Sequence, residues 1–234
     1  MLTSAQIKTI RSLKDKKFRD ESGMFVVEGE KLVKEAVESS FNVIEVYRTS
    51  EIGEAAMKRI SLLNTPSTAL ALVEIPSKNT GMHLSDGGLY LALDSIRDPG
   101  NMGTILRIAD WYGLDGVFAS EDSVDIFNPK VVQSTMGAIF RVPFSYCDLV
   151  ELCSEVDAEV YGTFLKGENI YESDLRYDGP GIIVTGNEAN GISEAVARKC
   201  TRRITIPSFA KGRGSESLNA AVATAITVSE FRRR

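Results

Sequence analysis

The chain has 234 residues, 43% of them hydrophobic and 25% charged, the make-up of an ordinary globular protein with one large or two modest domains. Its net charge of −5 excludes a generally basic nucleic-acid binder, so any grip on nucleic acid has to be local. No apolar run approaches the roughly 18 residues of a bilayer span, and the N-terminus lacks the apolar core of a signal peptide.

The first 76 residues predict a small α/β domain. Ile7, Ile10 and Leu13 repeat at helical spacing. A strand is expected over 24–27, a helix over 30–39, a strand over 43–47, a helix over 54–63 and a strand over 69–75; this alternation points to an α/β sandwich. Residues 1 to 20 carry Lys8, Arg11, Lys14, Lys16, Lys17 and Arg19 against only Asp15 and Asp20. Two readings stand: a solvated helix face, or a cluster in which Lys14, Lys16, Lys17 and Arg19 contact phosphates. The chain closes on a second basic run, Arg232-Arg233-Arg234.

Residues 76 to 88 are turn formers with little to bury, which makes 77–88 the linker and 89–234 the second domain. There the alternation is clean. Strands are expected near 89–94, 116–119, 159–164, 181–185 and 203–206, with helices near 102–112, 129–139, 148–155, 192–199 and 216–231. Asn128 can cap the second of these helices and Pro129 fits its first turn. In the last helix Leu218, Ala221, Val222, Ala225 and Ile226 form one apolar stripe. Continuous apolar strands separated by helices imply a parallel sheet covered on both faces. Ligands of such sheets sit at the carboxyl ends of the strands.

Three Gly/Asn-rich segments fall at those ends: Asp98-Pro-Gly-Asn-Met-Gly-Thr-Ile-Leu-Arg107, Thr185-Gly-Asn-Glu-Ala-Asn-Gly191, and Ile206-Pro207 leading to Glu216-Ser-Leu-Asn-Ala-Ala221. No G-x-G-x-x-G run follows the first strand, so a dinucleotide site is not expected. His83 is the only histidine and lies in the linker, which removes histidine general-base chemistry and a Ser-His-Asp triad. Cys147, Cys153 and Cys200 are odd in number and lack metal-ligand spacing, so reduced, partly buried thiols of a cytoplasmic protein are expected, and no metal site.

The order and residues of these segments resemble the SpoU (TrmH-type) family of RNA ribose 2′-O-methyltransferases over about residues 88 to 231. Asn101, Gly103 and Arg107, then Gly186-Asn187-Glu188, then Ser217-Leu218-Asn219 carry the likeness. The stretch from Lys17 to Val33 more loosely resembles the N-terminal RNA-binding domain of many members, which is similar to certain ribosomal proteins. The resemblance implies S-adenosyl-L-methionine as cofactor, a knotted (SPOUT-type) parallel-sheet domain with a trefoil knot, and a homodimer formed through that domain. Structured RNA is the implied substrate, ribosomal RNA before tRNA, and a non-catalytic RNA-binding or assembly protein on the same fold is the alternative.

Residue by residue, the likeness places Gly186, Ile206 and Leu218 on the cofactor and Arg107 at the reacting ribose. A guanidinium, with its pKa above roughly 12, is a pure donor. Its expected task is therefore to hold the neighbouring phosphate and stabilise the developing alkoxide. Asn101 braces its loop or orients Arg107, against a plain turn former. Glu188 positions Arg107 by a charge-assisted bond, against a solvent-facing loop residue. Ser217 and Asn219 fix the cofactor loop or touch RNA, against ordinary helix-start residues. Ser134, Gly137 and Ala138 resemble a further family segment near the site. Lys211-Gly-Arg-Gly-Ser215 is a basic glycine-rich loop that departs from the family pattern in length and charge.

Overall fold

The structure is a computed structural model that describes residues 2–76, 82–155, 157–177, 179–210 and 216–233. Part of the expected linker (77–81), the 211–215 loop and Arg234 lie outside the described residues. The chain divides into two compact units. One comprises Met1–Asn79 and Asp125–Arg141, the other Thr80–Val124 and Val142–Arg234.

The first unit opens with α1 (Ser4–Ser12), started by a capping box: the Thr3 hydroxyl accepts from Gln6 N at 3.2 Å and the Gln6 side chain accepts from Thr3 N at 2.9 Å. A short α2 (Lys16–Ser22) stops at Gly23, whose φ of 66° is a left-handed cap. There follow β1 (Met24–Glu28), α3 (Glu30–Glu38), β2 (Val43–Arg48), α4 (Thr49–Ile52), α5 (Glu54–Ile60) and β3 (Ala69–Glu74). The sheet order is β1-β3-β2, antiparallel throughout. Ile10 and Leu13 do bury, against Val26, Leu70, Leu72, Met57 and Ile60. The single helix expected over 54–63 is a shorter α5 preceded by the one-turn α4, with Gly53 at φ 81° between them.

The second unit begins with β4 (Leu89–Asp94), α6 (Pro99–Trp111) and β5 (Gly116–Ala119). The chain then makes α7 (Pro129–Thr135) and a 3₁₀ turn over Ala138–Phe140, both within the first unit. The helix expected to reach 139 stops at Thr135 because Met136 (φ 51°) and Gly137 (φ 97°) are both left-handed. Glu35 stands against Gly137 where a side chain would be, so the glycine is required by packing as well as by its φ.

Back in the second unit come β6 (Phe144–Tyr146), a strand too short to read in sequence, then α8 (Leu149–Glu155), β7 (Glu159–Asn169), β8 (Gly181–Gly186), α9 (Glu194–Ala197), β9 (Arg202–Thr205) and α10 (Ala220–Arg233). The six strands are parallel in the order β6-β5-β4-β8-β7-β9. The central β4 is buried along its whole length and β8 along all but its last residue, which is why both read as unbroken apolar runs. α10 lies against α6 and β8. Its buried residues are Ala220, Ala221, Thr224, Thr227, Val228, Glu230 and Phe231; of the stripe expected from sequence Ala221 is buried and Ala225 and Ile226 are half-buried, while Leu218 and Val222 point outward. Among the described residues no helix is long and apolar enough to cross a membrane.

Candidate active site

The site is assembled where β4, β8 and the segment before α10 end. β4 delivers Asp94, which accepts from Ser193 N at 2.7 Å and so ties the start of α9 to its own strand end. Asp98 then caps α6 by accepting from Asn101 N at 2.8 Å, with Pro99 in the first turn. This capping turns the Asn101 side chain inward. Its amide donates to the Glu188 carboxylate, and its carbonyl oxygen accepts from Asn219 Nδ2 at 2.8 Å. Residues from three separate segments are thus joined through the two ends of one side-chain amide. Asn219 also caps α10, accepting from Ala221 N at 3.0 Å.

The fold itself needs Gly186 without a side chain. A β-carbon there would collide with the backbone of Gly191 and Ile192. The close approach is to the chain's own returning loop, closed by Asn187 N to Gly191 O at 3.1 Å and Gly191 N to Asn187 O at 2.8 Å. Within that loop Asn187 Oδ1 accepts from Ala189 N at 2.9 Å, and Asn187 Nδ2 reaches across to Ser95 O at 3.0 Å. Ser95 has φ 56°, an uncommon conformation for a residue with a side chain. It is held there by Ser120 Oγ on its N–H at 2.8 Å and by its hydroxyl on Asp122 at 2.6 Å. The Ser95 and Ser120 hydroxyls, with Arg97, keep the Asp122 carboxyl below its ordinary range. Asp94 and Ser95 were not singled out in the sequence, and Asn187 only as part of its motif, not as a brace; a non-glycine residue in a left-handed turn such as Ser95 has no pattern to reveal it.

Arg107 stands on an exposed face of α6. Among the described residues it has no hydrogen-bond or ion-pair partner, so neither Asn101 nor Glu188 orients it; they are bonded to each other instead. Ser217 and Leu218 are exposed and Ile206 is half-buried. No described hydrogen bond takes up the main-chain N–H or C=O of Ile206 or Leu218. These free backbone groups and apolar side chains are the chemistry that an adenosine moiety needs. No group of His, Cys, Asp and Glu among the described residues has metal-binding geometry. The thiols are free; burial pushes Cys153 up to about 12 and Cys147 and Cys200 to about 11, so none is a nucleophile near neutrality.

In the first unit the basic cluster divides. Lys14, Lys16 and Lys17 are exposed, Lys16 paired with Asp20 at 2.7 Å and Lys17 near Glu21 at 3.9 Å. Arg19 corrects the expectation of a phosphate contact. It is only 1% exposed, donates to Asp125 at 2.6 and 3.0 Å, and donates to Leu13 O at 2.7 Å. Its donors are spent on folding, because a buried guanidinium has to be paired. Ser134, Gly137 and Ala138 likewise belong to the first unit, where Ser134 Oγ donates to Lys130 O.

Residues 88–229 match the SpoU rRNA Methylase family, and residues 4–70 match the MRM3-like substrate binding domain. The chain is 31% identical to the 23S rRNA (guanosine(2553)-2′-O)-methyltransferase RlmP of Bacillus subtilis, over 97% of this chain and 96% of that one. A solved structure from Porphyromonas gingivalis, described as a putative RNA methyltransferase of the TrmH family, superposes with a TM-score of 0.88 at 39% identity, covering 100% of this chain and 99% of its own. An rRNA methyltransferase from Sinorhizobium meliloti, solved with AdoMet bound, superposes with a TM-score of 0.86 at 31% identity, covering 100% and 96%.

Proposed function

The chain belongs to the SpoU rRNA methylase family, and from that premise we propose that it transfers a methyl group from S-adenosyl-L-methionine to a ribose 2′-hydroxyl of 23S-type ribosomal RNA. The observation that carries the reading is the Glu188–Asn101–Asn219 chain of hydrogen bonds, with Arg107 left exposed and unpartnered in the same helix as Asn101. A protein that only bound RNA would have no use for a braced polar cluster at the strand ends. The ribosomal substrate is favoured over tRNA because the relative matched along nearly its whole length methylates 23S rRNA.

The residues divide the work. Ile206 and Leu218 present unbonded main-chain groups and apolar walls for the cofactor, and the Gly186–Gly191 loop fixes the end of β8 beside them. The bound sulfonium supplies an electrophilic methyl group, so the hard part of the chemistry comes with the cofactor. Asn101, Glu188 and Asn219 hold the start of α6, the β8 loop and the start of α10 in one arrangement. Placement of this kind contributes several kcal/mol to a transfer reaction. Arg107 binds the phosphate beside the target ribose and stabilises the oxyanion that forms as the hydroxyl proton leaves to water or phosphate.

The same reading includes the trefoil knot in the C-terminal segment, a cytoplasmic location and a homodimer through the second unit. Trp111 and Phe209, 84% and 82% exposed, and the outward Leu218 and Val222 leave apolar surface that a second copy would cover. The decisive experiment supplies the purified chain with S-adenosyl-L-methionine labelled in the methyl group and with transcripts of 23S rRNA and of total tRNA. One ribose-methylated nucleotide in the 23S transcript is expected. Label in tRNA alone, or in neither, would overturn the reading.

A further inference from the structure

In an acidic chain, residues 198–203 read Arg-Lys-Cys-Thr-Arg-Arg, four cations in six positions. They run from the end of α9 into β9, the edge strand of the six-stranded sheet. Two of the four are neutralised locally, Arg198 by Glu194 and Arg202 by Glu168. Lys199 and Arg203 are exposed and have no carboxylate partner among the described residues.

Arg203 is built into place rather than left loose. Its Cζ stands 3.5 Å from the centre of the Phe164 ring. Phe164 itself packs on the core cluster of the sheet together with Cys200. Gly162 makes the room: a β-carbon there would strike both the Phe164 ring and Cys200 Sγ. β7 and β9 pair at Gly162 with Arg203 and Thr163 with Ile204, then resume at Glu168 with Ile204. The four residues 164–167 therefore stand out from the ladder as a bulge. A bulge at a sheet edge re-aims its side chains; here it sets the ring of Phe164 under Arg203 and carries the exposed Lys166 outward. A guanidinium stacked on a ring keeps its N–H donors free at the edge, in the planar fork that matches a phosphate.

We infer that this edge, Arg203 stacked on Phe164 with Lys199 four residues before it and Lys166 on the adjoining bulge, is a second RNA-binding surface in the catalytic unit and grips the sugar-phosphate backbone. The inference rests on the ribosomal RNA reading above. Charge decides the partner: Lys199 before β9, Arg203 on β9 and Lys166 on the adjoining bulge are exposed and have no carboxylate partner among the described residues, in a chain whose net charge is −5, so the surface selects a polyanion. Contact with phosphates gives no base specificity; it sets register and orientation of the substrate.

The test is the salt dependence of binding to a 23S rRNA transcript by the full chain. The Lys199→Gln/Arg203→Gln double variant should bind several-fold more weakly at low salt. Its slope of log affinity against log salt should be shallower by about 0.7 to 0.9 for each phosphate that the variant no longer neutralises. Affinity for S-adenosyl-L-methionine and the thermal midpoint should stay at wild-type values, which shows that the fold is intact. Arg203→Lys should keep the slope but lose part of the affinity, since the charge remains and the stacked fork does not. A wild-type chain that methylates the transcript while the double variant keeps the wild-type slope overturns this inference alone. A wild-type chain that binds no RNA overturns it together with the reading beneath it. Displacement of the transcript by poly-glutamate as readily as by homopolymeric RNA overturns it in favour of an acidic protein partner.

Discussion

Arg19 in the first unit and Arg107 in the second both stand on helices, α2 and α6, and each was a candidate for touching RNA, but their surroundings are opposite. Arg19 is buried, with Asp125 and Leu13 O taking its donors. Arg107 is exposed and has no partner among the described residues. A guanidinium whose donors are occupied inside a unit has nothing left for a substrate. One held at the surface by its helix alone keeps five donors available. Burial and partner count, rather than residue type, separate a structural arginine from a functional one.

The comparison breaks first at Arg19. Arg19→Ala leaves the half-buried Asp125 carboxylate with only the Phe127 N–H and strands the Leu13 carbonyl, so it should cost about 3 kcal/mol of stability in urea denaturation. A loss below about 1 kcal/mol would mean that the pair does not hold the first unit together. Arg107→Ala should do the reverse. Its urea midpoint and S-adenosyl-L-methionine affinity should match wild type, while single-turnover methyl transfer falls about 100-fold, the scale of one preorganised charge stabiliser. Arg107→Lys should recover little, because a point ammonium cannot reproduce the fork; a near-normal rate in the alanine variant would make Arg107 a bystander.

A smaller effect sharpens the contrast within the first unit. Lys14, Lys16 and Lys17 are exposed, so replacing all three by Gln should leave stability within about 0.5 kcal/mol. It should make the slope of log RNA affinity against log salt shallower by about 0.7 to 0.9 per phosphate left without its lysine. An unchanged slope would reduce them to solvated surface.

The smallest effect belongs to Glu28. Burial raises its carboxyl above the ordinary 4.5, against the opposing pull of hydrogen bonds from the Ser61 hydroxyl and Leu62 N. A raised acid binds its proton more tightly when folded. Its stabilising contribution is therefore full below about pH 4.5 and is lost as pH rises through the folded value. Urea melts should show the stability of Glu28→Gln gaining on wild type between about pH 4 and pH 7; a constant difference across that range would mean that the burial is not felt.

Much of the second unit was legible in one dimension. β4, β5 and β8 are continuous apolar runs because both faces of a central parallel strand are buried, and their boundaries follow. Pro129 announced a helix start, since it sits where a missing N–H costs nothing, whereas α6 begins at Pro99, three residues before the expected 102. β6, three half-buried residues at the sheet edge, carried no such signal. Nor did the early stop of α7, which depends on Met136 taking a left-handed conformation that its residue type does not favour.

Local composition determined which segments would end at the site: Asn101 stands in the first turn of α6, Gly186 and Glu188 at the end of β8 and in the loop after it, and Asn219 just before α10, each in or beside a stretch rich in turn formers. Only the tertiary structure decided what those residues do there. Glu188 bonds Asn101 and not Arg107, Gly186 makes room for the chain's own loop, and Arg19 turns inward to Asp125. The reason is that a side chain's partners come from residues tens of positions away, brought together by strand order and burial. Spacing along the chain records the periodicity of each element, not what stands opposite it.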